Sequence, residues 1–150
     1  MPFFKLRPEA GGQPLPRAER TLGTTATRYR LDWWLGDDLI ECHPAFVVTD
    51  PLKIALEGLH DGRGYRFGEA SLEPSPFLRQ KRPMLDLPRF WTLEVDGVAG
   101  QSDMGLSTEG SLIVSGRVLG VLVLHQLERA DIQQWPSRPG AAIAAEGRRR

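Results

Sequence analysis

Charged and apolar residues alternate over Arg28–Trp33, so that Tyr29, Leu31 and Trp33 share one face of an extended chain and Arg28, Arg30 and Asp32 the other. The same two-residue period returns over Phe90–Val95, with Trp91, Leu93 and Val95 on one face and Thr92 and Glu94 opposite. Ala45–Val48 and Leu112–Val114 are short continuous apolar runs that read as buried strands. Phe3–Leu6 predicts a short edge strand, Tyr65 and Phe67 a returning strand, and Ala130–Ile132 a last one. Between Leu52 and Leu59 the period becomes helical: Leu52, Ala55, Leu56 and Leu59 fall at i, i+3, i+4 and i+7. Thr49 or Asp50 offers a side-chain cap for that helix, Pro51 suits its first turn, and Gly58 and Gly62 mark its end. Pro8–Pro16 reads as loop, Gly36-Asp37-Asp38 as a turn, and Gly97–Gly105 as a glycine loop. Glu73–Pro88 reads as an irregular excursion with one helical turn near Phe77–Gln80.

One pattern occurs twice. FVVTDPLKIAL (Phe46–Leu56) and LIVSGRVLGVL (Leu112–Leu122) align Phe46 with Leu112, Thr49 with Ser115, Leu52 with Val118 and Leu56 with Leu122. Each copy reads as buried strand, hydroxyl cap, amphipathic helix. The second helix is predicted despite three valines and Gly120, which weakens a helix interior by about 1 kcal/mol. The fold class expected is α+β: a small mixed sheet with two or three helices, built on two strand–cap–helix units. Residues 1–135 make one domain, and 136–150, poor in large apolar groups, a disordered tail.

Composition narrows the function classes. The 19 basic and 19 acidic residues cancel, which argues against a protein built around nucleic-acid phosphates. One cysteine makes neither an internal disulfide nor a Cys-rich zinc site. The longest apolar run, Val118–Leu124, is far too short to cross a bilayer, and nothing near Met1 resembles a signal peptide. A soluble cytoplasmic protein without a cofactor, and with no membrane or nucleic-acid partner, is expected.

The densest chemistry lies in DWWLGDDLIECHP (Asp32–Pro44). Asp37, Asp38, Glu41 and His43 carry donors for a hard or borderline cation, but without the acid spacing of a calcium loop or the helical His pair of a zinc hydrolase. Cys42 and His43 are adjacent and point to opposite faces of a strand, so they form no dyad, and Cys42 reads as a buried inert thiol. The glycines of Asp61–Gly64 and Gly97–Gly100 lack phosphate-loop spacing. The Arg79, Lys81, Arg82 cluster reads as a solvated face. Trp34 beside Asp37, Asp38 and Glu41 has the make-up of a binding hot spot ringed by carboxylates, with Asp103 brought near by its loop.

FFKLRPEAGG, WLGDDLIECHPAFVVTD, LPRFWTLEVDG, SDMGL and LIVSGRVL occur in an order that resembles a family of bacterial immunity proteins associated with polymorphic toxins, formerly a domain of unknown function. The resemblance spans Phe3–Ile132. It departs at Ser102–Leu106, which holds one acid and Met104 where the family often has Asp-Asp and an aromatic residue. It implies a non-catalytic protein that neutralises a cognate toxin by protein–protein contact; from the residues themselves, Trp34, Asp37, Asp38, Glu41 and Asp103 are the expected contact residues. Two rivals follow from the residues: a small metal-dependent enzyme using Asp37, Asp38, Glu41 and His43, and an accessory or structural subunit of a bacterial assembly.

Overall fold

The computed structural model describes residues 2–15 and 26–136; the expected disordered tail beyond Pro136 lies outside the described residues. The chain runs β1 (Phe3–Arg7), β2 (Glu9–Ala10), β3 (Gly12–Pro14), β4 (Thr27–Leu31), β5 (Leu39–Cys42), β6 (Ala45–Thr49) and α1 (Asp50–Glu57). It continues through β7 (Tyr65–Pro74), α2 (Pro76–Lys81), β8 (Phe90–Val95), β9 (Met104–Leu106), β10 (Leu112–Ser115), α3 (Gly116–Leu122) and β11 (Asp131–Trp135). The class is α+β with three helices among the described residues, as the periodicity predicts. The sheet is not small. A seven-stranded sheet is ordered β2-β5-β6-β8-β7-β4-β3, and a four-stranded one β11-β1-β10-β9.

The echo in the sequence is an echo in space. In the first unit, β5 and β6 form a hairpin (Leu39 opposite Val48), α1 follows, and β7 returns to pair with β8, which lies beside β6. In the second, β9 and β10 form a hairpin (Met104 opposite Val114), α3 follows, and β11 returns to pair with β1, which lies beside β10. The first strand of the chain thus takes in the second unit the place that β8 takes in the first. Registers agree: Thr49 faces Phe90 as Ser115 faces Phe3, and Phe46 faces Leu93 as Leu112 faces Leu6. Phe90-Trp91-Thr92-Leu93 therefore answers to Phe3-Phe4-Lys5-Leu6. This is why Phe3–Leu6, expected at an edge, is an interior strand between β10 and β11.

The main core consists of equivalent pairs. Leu39, Phe46, Val48, Leu52, Leu56 and Leu93 come from the first unit; Met104, Leu112, Val114, Val118, Leu122 and Leu6 are their counterparts. Each helix lays its buried residues, Leu52 and Leu56 or Val118 and Leu122, into the space between the sheets. Burying side chains of this size stabilises by about 1.5–3 kcal/mol apiece before entropy is counted.

A second core belongs to the first unit alone. Ile40, Cys42, Val47 and Phe90 point from the other face of β5, β6 and β8, where Tyr29 and Leu31 of β4 and Leu78 of α2 cover them. The Tyr29 hydroxyl shares a 3.0 Å hydrogen bond with Thr92. β2 and β3, at opposite ends of the seven-stranded sheet, are separated by Gly11 alone, so the sheet curls until its edges meet. At this seam a side chain on Gly12 would collide with the Arg30 carbonyl. Pro8–Pro16, read as loop from its Gly and Pro content, thus includes two short pairings, Glu9–Ala10 with β5 and Gly12–Pro14 with β4. On the second unit the equivalent face is covered by the chain at Val98 and Ala99: a side chain on Gly105 would strike the backbone of Ala99.

Candidate functional site

Three of the four acids expected to face a partner, Asp37, Asp38 and Asp103, bond distant parts of the fold. Asp37 is 1% exposed and accepts hydrogen bonds from the backbone amides of Glu128 (3.0 Å) and Arg129 (2.8 Å). Backbone amides buried without a partner are costly, and a carboxylate placed at the start of β5 supplies two acceptors to the loop after α3. Asp38 accepts from the Thr49 hydroxyl and the Gln126 amide, both at 2.8 Å. Thr49 sits at the N-cap of α1 and makes no side-chain cap bond; its hydroxyl donates to Asp38. Asp50, the other cap candidate, accepts from the Trp91 indole at 2.8 Å.

Trp34 is half-buried: its indole donates to the Asp37 carbonyl (2.9 Å), and its ring meets Phe90 edge-on at 5.7 Å. Glu41 is engaged by the exposed His43 ring at 3.1 Å. Asp103 belongs to the second unit and is bound to a different set of groups. It accepts from the Ser115 hydroxyl (2.8 Å), the Arg63 amide (3.0 Å) and two nitrogens of Arg117 (both 3.0 Å). The Arg117 guanidinium, with the Ser115 and Arg63 bonds, outweighs burial and holds its carboxyl down at about 2. The predicted contact set therefore does not form one exposed acidic patch.

Nor do Asp37, Asp38, Glu41 and His43 converge as a donor set. Among the described residues no group of three or more His, Cys, Asp or Glu is placed to hold a metal ion. Cys42 is buried, and burial, reinforced by Asp32 and Glu41, pushes its thiol up to about 12, far from the reactive thiolate range. His60 pairs with Asp61, and His125 with the Val121 carbonyl.

The exposed chemistry lies elsewhere, on an excursion between β7 and β8. β7 pairs with β8 through Tyr65–Glu69 and then runs on against β4 through Ala70–Pro74. Ser75 caps α2, accepting from the Leu78 amide at 3.1 Å, with Pro76 in the first turn. Leu78 is fully buried and pins the helix, and Leu85 and Leu87 anchor the following loop to the second core. The outward side chains are of two kinds. Phe77 (53% exposed) leans on Trp33 at 6.2 Å beneath the Lys81 ammonium, and Met84 is 92% exposed. Arg79, Lys81, Arg82 and Arg89 are exposed with only Asp86 to offset them over 76–89. Arg82 donates to the Trp34 carbonyl at 2.9 Å, tying this arm to the tryptophan pair.

A cleft of about 310 Å³ opens on one flank of the arm, lined by Arg30, Glu73, Pro74, Pro76 and Arg79. Glu73 is already engaged by Arg28 at 3.0 Å. The sequence marks this region as an excursion with a helical turn near Phe77–Gln80, seen here as α2, and marks its chemistry through the Arg79, Lys81, Arg82 cluster. It does not reveal that Phe77 and Met84 are exposed beside those cations.

No family model, curated protein or solved structure matches the chain. No described helix is long and apolar enough to cross a membrane.

Proposed function

We propose that the protein is a non-catalytic binding protein of the immunity type, which neutralises a cognate protein toxin by contact, and that the arm over 76–89 makes the contact. The resemblance to toxin-immunity proteins supplies the class. The observation that carries the location is the exposure of Phe77, on a helix held from below by Leu78, and of Met84, in the loop that follows it, among four cations. Exposed apolar side chains with Arg around them, on a rigid base, are the usual make-up of an interface centre. Leu78, Leu85 and Leu87 fasten the arm from beneath, and Met84, 92% exposed, is spent on no packing of its own.

This reading reverses the polarity expected from Asp37 and Asp38. Those acids serve backbone amides, and the partner is met by cations instead. Growth rescue tests it. Co-expression of this chain with the product of a neighbouring gene that is toxic when expressed alone should protect the cell, and Phe77→Ser combined with Met84→Ser should abolish protection while leaving the melting temperature within a few degrees. Rescue by the double variant would remove the arm from the interface. Failure of the unaltered chain to protect would remove the immunity reading.

A further inference from the structure

We infer that the Arg30–Arg79 cleft seats a side-chain carboxylate from an acidic segment of the protein partner. The inference rests on the protein-binding reading and specifies the chemistry of its partner. Neither arginine has an ion-pair partner among the described residues, and Glu73, the acid within the cleft, is taken by Arg28. In a chain whose total charge is zero, the excursion over 76–89 gathers four cations, Arg79, Lys81, Arg82 and Arg89, against the one carboxylate of Asp86, and Arg30 of β4 adds a fifth cation, with Asp32 two residues further along the chain. A guanidinium pair matches the two oxygens of a carboxylate, and each charge-assisted hydrogen bond so formed is about twice as strong as a neutral one.

The walls decide between carboxylate and phosphate. Phosphate sites are typically lined by backbone amides. Here the wall is Pro74 and Pro76, which have no amide hydrogen, and the amide of Ser75 between them is spent on the Leu31 carbonyl at 2.8 Å. Glu73 would also repel a doubly charged phosphate more than a single carboxylate. A volume of about 310 Å³ accommodates one acidic side chain with its neighbouring backbone.

The test uses the full chain and capped hexapeptides of alternating Glu and Leu, with a Gln-for-Glu counterpart as control. Fluorescence anisotropy should show binding of the Glu peptide that weakens with salt. Arg30→Gln with Arg79→Gln should weaken it by about tenfold or more, the worth of one charge-assisted bond. The control peptide should bind no better than the double variant allows. Equal binding of the two peptides, or an unaffected double variant, would overturn the assignment. So would displacement of the Glu peptide by inorganic phosphate at lower concentration than by glutarate, or tighter binding of the chain to vesicles containing phosphatidylserine. Because the peptide assay needs no toxin, a failure here is distinguishable from a failure of growth rescue. Arg30→Gln is the variant to trust if Arg79→Gln disturbs α2, since Arg30 lies on β4.

Discussion

In the first unit Asp38 ties Thr49, at the N-cap position of α1, to the amide of Gln126, beyond the helix of the other unit. In the second, Asp103 ties Ser115 to the amide of Arg63, again beyond the other unit's helix, and adds both nitrogens of Arg117. The backbone repeats the arrangement: the Thr49 amide donates to the Asp38 carbonyl at 2.9 Å and the Ser115 amide to the Asp103 carbonyl at 2.8 Å. Each aspartate is thus a rivet through both units. The difference lies one step into each helix, where the position of Arg117 is occupied in the first unit by Pro51. The unit with the weaker rivet is the one that carries the second core, with β4 and α2 packed over it. A shared frame held by paired acids, with an elaboration on one side only, places stability in the symmetry and the partner-facing chemistry in the departure from it.

The largest expected effect comes from removing the stronger rivet. Asp103→Ala leaves the Arg63 amide, the Ser115 hydroxyl and Arg117 without their acceptor and should cost about 3 kcal/mol, whereas Asp38→Ala should cost about 2 kcal/mol. Urea unfolding followed by circular dichroism measures both; a larger loss for Asp38→Ala would invert the ranking of the two units. The ranking has a pH signature. The Asp103 carboxyl is held at about 2 in the fold, below its ordinary 3.8. Its stabilisation is therefore complete above about pH 4 and is lost as pH falls towards 2. Arg117→Met removes the largest cause of that shift, so the acid limb of the stability curve should move to higher pH. An unmoved limb would mean that the guanidinium does not hold the carboxyl.

Much of this frame is legible in the residues. The two strand–cap–helix units appear as FVVTDPLKIAL and LIVSGRVLGVL because hydrophobic periodicity registers both the strand and the helix that follows. The counterpart relation between Phe3–Leu6 and Phe90–Leu93 is invisible to a scan for tandem copies, since β1 precedes the unit that it completes. β9 escapes notice because a three-residue strand beginning Met-Gly amid glycines carries no alternation. The fate of the acids is hidden for another reason. A carboxylate on the surface and one serving backbone amides across the chain have the same local sequence; only the approach of residues 126–129 to Asp37 and Asp38 separates them. The arm shows its cations in sequence, but Phe77 and Leu78 are neighbours, and which one turns inward is settled by β4 beneath.

The caps sharpen the comparison at a smaller scale. Ser115 both accepts from the Val118 amide at 3.3 Å and donates to Asp103, while Thr49 only donates to Asp38. Ser115→Ala therefore removes two bonds and should cost about 2 kcal/mol; Thr49→Val removes one and should cost about 1 kcal/mol. Hydrogen exchange gives a local reading: Val118 should lose protection in Ser115→Ala, with no matching loss in the first turn of α1 in Thr49→Val. Equal loss in the two helices would show that the hydroxyls do the same job.

The smallest expected effect concerns a second pair of equivalent acids. Glu9 follows β1 as Asp96 follows β8, but Asp96 is exposed and paired with Arg66 at 3.1 Å, whereas Glu9 is buried with its Oε1 unsatisfied. Burial, with the charge of Asp37 beside it, raises the Glu9 carboxyl above its ordinary 4.5. The fold thus favours the protonated form: the stabilising contribution is present below 4.5 and is lost as pH rises through the folded value. Glu9→Gln keeps the shape without the charge, so it should be more stable than the natural chain near pH 8 and no different near pH 4. Asp96→Asn, which gives up an exposed ion pair, should change stability by less than about 0.5 kcal/mol at either pH. A Glu9→Gln variant destabilised near pH 8 would mean that the ionised carboxylate is what the seam between β2 and β5 requires, and that this corner of the first unit is held by charge as the rivets are.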